Sequence, residues 1–99
     1  MAETKERLDR LRAKRGGHRG VCTKLAKESD EIIQHPGTVD ADRYEVIQGL
    51  FEEKLKILNE IDEEILGLCD IEEIEQEIEE STEVAARLLN VKRKLEKAL

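Results

Sequence analysis

Two residues that commonly bind zinc, His18 and Cys22, are four positions apart, so on a helix they share one face. A zinc site needs further ligands, and the candidates are remote. His35 is about 20 Å beyond Cys22 along a helix, and Cys69 is expected at the opposite end of the molecule from His35. The sequence therefore predicts no metal site and no cofactor, with both cysteines reduced and unbridged.

A basic run near the N-terminus is the second candidate for chemistry. It contains Arg12, Lys14, Arg15 and Arg19, loosened by three glycines, and such a run can follow a phosphate backbone. No aromatic residue lies near it to stack on bases, and the chain carries a net charge of −7. Nucleic-acid binding is therefore kept as the alternative function, and pairing of these charges within the fold is the simpler interpretation.

Acidic residues are concentrated in the segment 60–83, which holds twelve acids and no base. Calcium loops place oxygen ligands around a glycine turn, whereas the run 72–80 has no glycine and a helical period. Acid–base catalysis needs a cleft that perturbs the pKa of its carboxyls, and no phosphate-binding or nucleophile motif is present. The sequence therefore predicts a non-enzymatic protein with no small-molecule substrate.

The composition predicts long helices that pack along a narrow seam. Charged residues make up 41% of the 99 positions, and Tyr44 and Phe51 are the aromatic residues. No apolar stretch is long enough to span a bilayer, the N-terminus lacks the apolar core of a signal peptide, and Ala2 replaces the glycine that myristoylation needs. We therefore expect an intracellular, cytoplasmic protein without membrane contact.

The first predicted helix spans 3–34. The residues expected to face the other helices, which we call its seam, recur at alternating steps of three and four, and this alternation continues across Gly16, Gly17 and Gly20. Each glycine lowers helix stability by about 1 kcal/mol relative to alanine. The seam residues are Leu8, Leu11, Arg15, His18, Cys22, Leu25, Ser29 and Ile32. We expect one helix, thin or kinked at the glycines where another backbone approaches. Two shorter helices remain the alternative.

The segment 35–38 is predicted to be a turn because Pro36 cannot continue a helix. A second helix then spans 39–68, with Asp40 and Asp42 favourable at its start. Its seam consists of Tyr44, Ile47, Phe51, Lys54, Leu58, Ile61, Ile65 and Leu68.

The alternation of seam residues breaks at 69–70. Asp70 and Glu73 resemble a capping box there, and Gly67 could close the second helix. The third predicted helix spans 71–99. Its apolar pattern begins at Ile71 and Ile74 and continues through Ile78, Ala85, Leu88, Leu95 and Leu99.

The predicted fold is all-α, a single domain (1–99) folded as an elongated antiparallel three-helix bundle or coiled coil. The alternative has helices two and three continuous through a stammer and paired between chains. In the bundle, the acidic segment 60–83 lies along the basic half of the first helix. The basic C-terminus falls beside Glu28, Asp30 and Glu31. Charge would then select the topology more than it adds stability.

Apolar residues that cannot all face one narrow core are the candidate protein interface. They are Leu50, Ile57, Leu89 and Val91. We expect the partner to be another protein or a second copy of the chain, and neither the partner nor the oligomeric state follows from the sequence.

The run from Leu11 to Leu25, with Arg15 followed by three glycines and then Thr23-Lys24-Leu25, is similar to a known family. It resembles the helical domain of unknown function near the N-terminus of Gag-like polyproteins of BEL/Pao-type LTR retrotransposons. The Glu- and Ile-rich tracts 60–65 and 72–78 fit the acidic tract of that family. The resemblance covers nearly the whole chain and implies a role in assembly or protein contact, in a retroelement polyprotein or a protein derived from one. It implies no catalytic residues, and the family's zinc-knuckle, protease and polymerase regions are not among these residues.

Overall fold

The computed structural model describes residues 2–38 and 40–98 and contains three long helices. They are α1 (Ala2–Gln34), α2 (Ala41–Leu68) and α3 (Ile74–Lys97). Single 3₁₀ turns, Pro36–Thr38 and Ile71–Glu73, lie between them, and the described residues contain no strand. The all-α fold class is therefore confirmed. The predicted start of the second helix at Val39 and the predicted end of the third at Leu99 lie outside the described residues.

The helices form an elongated bundle of 54 × 21 × 16 Å in which all three pack against one another. The start of α2 lies beside the end of α1, because Arg43 Nη2 is 2.7 Å from Glu28 Oε1. The start of α3 lies beside the first half of α1, because Arg15 Nη1 is 2.7 Å from Glu77 Oε2. The topology is therefore up-down-up, and the acidic segment 60–83 lies along basic residues of α1.

The two turns use different chemistry at their helix ends. Asp40 caps α2, since its carboxylate accepts a hydrogen bond of 2.8 Å from the backbone N–H of Arg43. At the other turn, Cys69 and Asp70 both have extended backbones, and this ends α2 within the single chain. The carboxylate of Asp70 makes no capping bond; its backbone carbonyl accepts from Glu73 N–H instead. Gly67 lies inside α2 with an ordinary negative φ, so its predicted closing role is wrong.

Helix α1 is continuous through Gly16, Gly17 and Gly20. All three glycines are exposed, and a Cβ added at any of them would have no neighbour within 4 Å. The expected close approach of another backbone is therefore wrong. The helix is held at this point by the seam residues on its opposite face.

The core follows the predicted seams of α1 and α2. Its buried residues are Leu11, Arg15, Cys22, Leu25, Ser29 and Ile32 in α1; Tyr44, Ile47, Phe51, Leu58, Ile61 and Ile65 in α2; and Leu88 and Leu95 in α3. Polar seam residues find partners inside the bundle. The hydroxyl of Ser29 donates to the carbonyl of Leu25 over 2.8 Å, and Nζ of Lys54 lies 3.0 Å from Nδ1 of His18.

The first half of α3 departs from the prediction. Ile78 is 46% exposed, whereas Glu77 turns its side chain inward. The seam of α3 therefore uses an acidic residue where an isoleucine was expected.

The apolar core is divided into two clusters along the bundle axis. The larger contains nine buried residues and lies towards the Pro36 turn. The smaller contains Leu11, Ile61 and Ile65, with Leu8, Ile57, Leu68 and Cys69 packed against it, and lies towards the Asp70 turn.

Candidate functional site

The most concentrated group of charges joins all three helices near one end of the bundle. Nη1 of Arg15 lies 3.1 Å from Oδ1 of Asp62 and 2.7 Å from Oε2 of Glu77. Nη2 of Arg12 lies 3.4 Å from Glu77 Oε1 and 3.0 Å from Glu73 Oε2. Arg15 is only 7% exposed. We call Arg12, Arg15, Asp62 and Glu77 the ion-pair cluster.

The electrostatics of the ion-pair cluster favour its charged form. The hydrogen bond from Arg15 holds the pKa of Glu77 below its ordinary value, and Arg12 adds to this effect. Burial opposes the charge on Arg15, but its hydrogen bonds to Glu77 and Asp62 outweigh burial, so the pKa of Arg15 is raised. A general acid at neutral pH needs a raised carboxyl pKa, and Glu77 is shifted the other way.

Arg19, one turn beyond Arg15, is held less completely. Its Nη2 is 4.0 Å from Asp62 Oδ1, and its buried Nε has no hydrogen-bond acceptor among the described residues. Burial, followed by repulsion from Arg15, lowers the pKa of Arg19.

The candidate nucleic-acid residues therefore do not form one surface. Arg12, Arg15 and Arg19 face acidic residues of α2 and α3, whereas Lys14 is exposed. The sequence interpretation had not singled out Asp62 or Glu77. Glu77 does fit a three–four alternation that runs through Ile74, Ser81 and Leu88, and this was the signal that could have identified it.

Other ion pairs tie the opposite end of the bundle together. Glu28 accepts two hydrogen bonds from Arg43, from Nε over 2.8 Å and from Nη2 over 2.7 Å. The ion pair that the structure gives Glu28 is thus with Arg43 of α2, and the expectation that the basic C-terminus falls beside Glu28 stays a prediction. Lys92 pairs with Glu52 of α2 at 3.4 Å and with Glu96 at 2.9 Å.

The cysteine and histidine residues have other neighbours than a metal site would give them. Cys22 and Cys69 are both free, and burial raises the pKa of the Cys22 thiol. His18 directs Nδ1 at Lys54. Within residues 2–38 and 40–98, no three His, Cys, Asp or Glu side chains are grouped as a metal site would need.

Two grooves run between helices. The α1/α3 groove has a volume of about 460 Å³. Its lining comprises Cys22, Thr23, Ala26, Val84, Leu88 and Val91, with Asn90 and the cations Arg19 and Arg87. The α2/α3 groove has a volume of about 260 Å³ and includes the anions Asp62 and Glu63 in its lining. The grooves therefore differ in the sign of their charge.

The four candidate interface residues do not form one patch. Leu50 and Val91 are half-buried against the larger core cluster, and Ile57 against the smaller. Leu89 is 52% exposed. Val91 is the one of the four that lines the α1/α3 groove.

Comparison with protein-family models, curated proteins and solved structures finds no significant match to this chain. The resemblance of residues 11–25 to a Gag-like domain therefore stays a prediction. In the part of the chain that the structure describes, no helix has both the length and the apolar character needed to cross a membrane.

Proposed function

We propose that this chain is a non-enzymatic protein-interaction module whose binding site is the α1/α3 groove. The observation that carries the proposal is the lining of that groove. Apolar side chains such as Cys22, Leu88 and Val91 are combined with Arg19 and Arg87, and no acidic residue lines it.

The shape of the α1/α3 groove suits a helix. Thr23 and Ala26 present small side chains on the α1 side, so there is space between two parallel helices. Helical partners commonly lay an apolar face into such a groove, with anchors spaced three or four residues apart. Because Arg19 and Arg87 are both cationic, the best partner is an amphipathic helix that carries carboxylates beside its apolar face.

The ion-pair cluster supports a structural role for the strongest charges. Arg15 is almost fully buried and is shared between Asp62 of α2 and Glu77 of α3, so its function is to hold three helices together. Both carboxylates are bound by Arg15, and the lowered pKa of Glu77 does not suit a general acid. A non-enzymatic role accounts for this arrangement without further assumptions.

The proposal also fits an assembly role within a larger scaffold, which the resemblance of residues 11–25 predicts. A scaffold module needs a stable fold and a surface for a neighbouring segment. The bundle and its open groove supply these two properties.

A titration tests the proposed site. We expect a synthetic acidic amphipathic helix, added to isotopically labelled protein, to shift the amide resonances of Thr23, Ala26 and Asn90. A peptide of the same composition in scrambled order is the matched control, because it keeps the charge but not the apolar face. Shifts that avoid the groove, or that the scrambled peptide reproduces, would contradict the proposal.

Nucleic-acid binding is tested separately through Lys14, which is exposed and whose loss should leave the fold intact. Under the proposed function, RNA retention is weak and does not depend on Lys14. Binding that falls steeply with salt and weakens in Lys14→Ala would instead favour the nucleic-acid alternative.

A further inference from the structure

We propose that the occupant of the α1/α3 groove is a second copy of this chain, which inserts its 3₁₀ turn Ile71–Glu73 together with the start of its own α3. This inference rests on the proposed function, because it names the partner of that groove. The inserted surface consists of Ile71, Glu72, Glu75, Ile78 and Glu79, and we call it the acidic ridge. All five residues are exposed.

The acidic ridge has two large apolar residues that are exposed, one of which, Ile78, forms the rim of the α2/α3 groove. Ile71 is 87% exposed and Ile78 is 46% exposed. Ile71 lies in the 3₁₀ turn and Ile78 in the first turns of α3, which follows that turn directly. Both are therefore exposed on one short continuous helical segment, and such segments bind in grooves through their apolar anchors. Large exposed apolar residues in such a segment indicate a surface that binds a partner.

The charges of the acidic ridge complement the α1/α3 groove and not the α2/α3 groove. Glu72, Glu75 and Glu79 accompany the two isoleucines, and the segment 60–83 contains no base. The α1/α3 groove offers Arg19 and Arg87. The α2/α3 groove offers Asp62 and Glu63, which would repel the ridge. Charge therefore selects one site.

The ridge and the groove cannot meet within one molecule. Ile78 and Val84 belong to the same helix, α3, so the ridge cannot turn back onto the groove wall that continues from it. Insertion must therefore occur between copies, and each copy offers both a ridge and a groove. Such a heterologous contact forms rings if its rotation closes and open chains if it does not.

Substitutions at exposed residues test the groove and the ridge separately. Arg87→Glu reverses a groove charge whose side chain is 72% exposed and whose ion pair is with its neighbour Glu83. Ile71→Gln combined with Ile78→Gln removes the ridge anchors while keeping a good helix former at each site. Val46→Gln, at an exposed apolar residue of α2 outside both surfaces, is the matched control.

Light scattering and sedimentation over a dilution series are the measurements. We expect the native chain and Val46→Gln to grow in mass beyond a dimer as concentration rises. The groove variant and the ridge variant should each associate at least about tenfold more weakly. An equimolar mixture of the two variants should form a one-to-one dimer and stop there, because one intact ridge and one intact groove remain.

Three outcomes would overturn the second copy as the occupant. They are a monomer at every concentration, association that the ridge variant leaves unchanged, and a mixture that grows no further than either variant alone. Circular dichroism of each variant excludes loss of fold as the cause. If the chain stays monomeric while the acidic peptide still shifts the groove resonances, the proposed function stands and only its partner is wrong.

Discussion

Arg15 belongs to α1 but binds carboxylates of both α2 and α3, so one side chain joins all three helices. In part-buried surroundings, the removal of one partner leaves the others uncompensated, which costs more than the net contribution of the pair itself. The geometry of Asp62 and Glu77 therefore makes stability depend on this residue more than on any exposed ion pair.

We expect Arg15→Ala to lower the free energy of unfolding by about 3 kcal/mol, because it leaves two poorly solvated carboxylates with only the longer contacts to Arg12 and Arg19. Urea denaturation followed by circular dichroism measures the change. Arg10→Ala is the control: its side chain is 82% exposed and its ion pair with Glu6 spans 3.6 Å. Its loss should cost less than about 0.5 kcal/mol. Equal effects of the two substitutions would contradict the role assigned to the ion-pair cluster.

Stability should also decrease in acid through Glu77. The hydrogen bond from Arg15 lowers the pKa of Glu77 in the folded state, so the folded chain binds this proton less readily than the unfolded chain. The stabilising contribution is therefore present above the unfolded pKa, about 4.3, and is lost as the pH falls towards the lowered folded value.

Denaturation at a series of pH values tests this dependence. In Glu77→Gln, the free energy of unfolding should decrease less steeply as the pH falls. Glu79→Gln, at an exposed position of the same helix, should leave this pH dependence unchanged. An unchanged pH dependence in Glu77→Gln would show that other carboxyls control it.

At the element scale, α1 carries an unusual number of glycines for a helix interior. Gly16, Gly17 and Gly20 all have negative φ and open space around the position of a Cβ. Each should therefore accept alanine without strain.

We expect each Gly→Ala substitution at these three sites to raise the free energy of unfolding by about 0.5–1 kcal/mol. The reverse change, Ala13→Gly at another exposed site of α1, should lower it by a similar amount. Thermal melts of the four variants measure both signs. A destabilising Gly→Ala would mean that the glycine face has a contact in solution that the single chain does not contain.

The seams of α1 and α2 could be predicted because the alternation of threes and fours was followed through polar residues. The alternation predicts Arg15, Ser29 and Lys54 as seam positions, and the structure places them there. In α3, Ile74 and Ile78 suggested a face that includes Ile78, but Glu77 occupies the seam. The reason is a partner 62 residues away, Arg15, which a local pattern cannot reveal.

At the scale of the whole molecule, the fold class and the antiparallel order could be predicted, since opposite charge blocks must lie together. The α1/α3 groove could not be predicted. It arises because small residues of α1, such as Ala26, face α3, and the rotation of α3 about its own axis is set by contacts elsewhere in the bundle. The sequence indicates an interface at apolar residues that exceed what one narrow core can bury. Half-buried packing accounts for Leu50 and Ile57 without any partner.

The turn at Cys69 and Asp70 decides between a folded-back chain and a continuous helix. Its backbone is extended at both residues, and the Asp70 side chain makes no capping bond. We expect Cys69→Ala combined with Asp70→Ala to favour the continuous helix, so that two chains exchange α3 and form a dimer longer than the 54 Å bundle. The change is made in the background of Ile71→Gln and Ile78→Gln, so that the acidic ridge makes no contribution.

Small-angle scattering measures the length and mass of that variant. Asp70→Asn, which keeps a residue suited to turns, is the control and should remain a monomer in the same background. A compact monomer after the alanine substitutions would show that helix packing alone, without the turn residues, makes the chain reverse direction between α2 and α3.

The division of the core into two clusters has a consequence for local opening. The cluster towards the Asp70 turn has only Leu11, Ile61 and Ile65 as buried members, and the adjoining ion-pair cluster weakens in acid. Cooperative units with few buried contacts open at lower free energy than the rest of a protein. Backbone amides near Ile61 should therefore exchange with deuterium sooner than those near Ile47, and the difference should widen as the pH falls. The molecule would then loosen first at the end that carries the acidic ridge, while the Pro36 end stays closed.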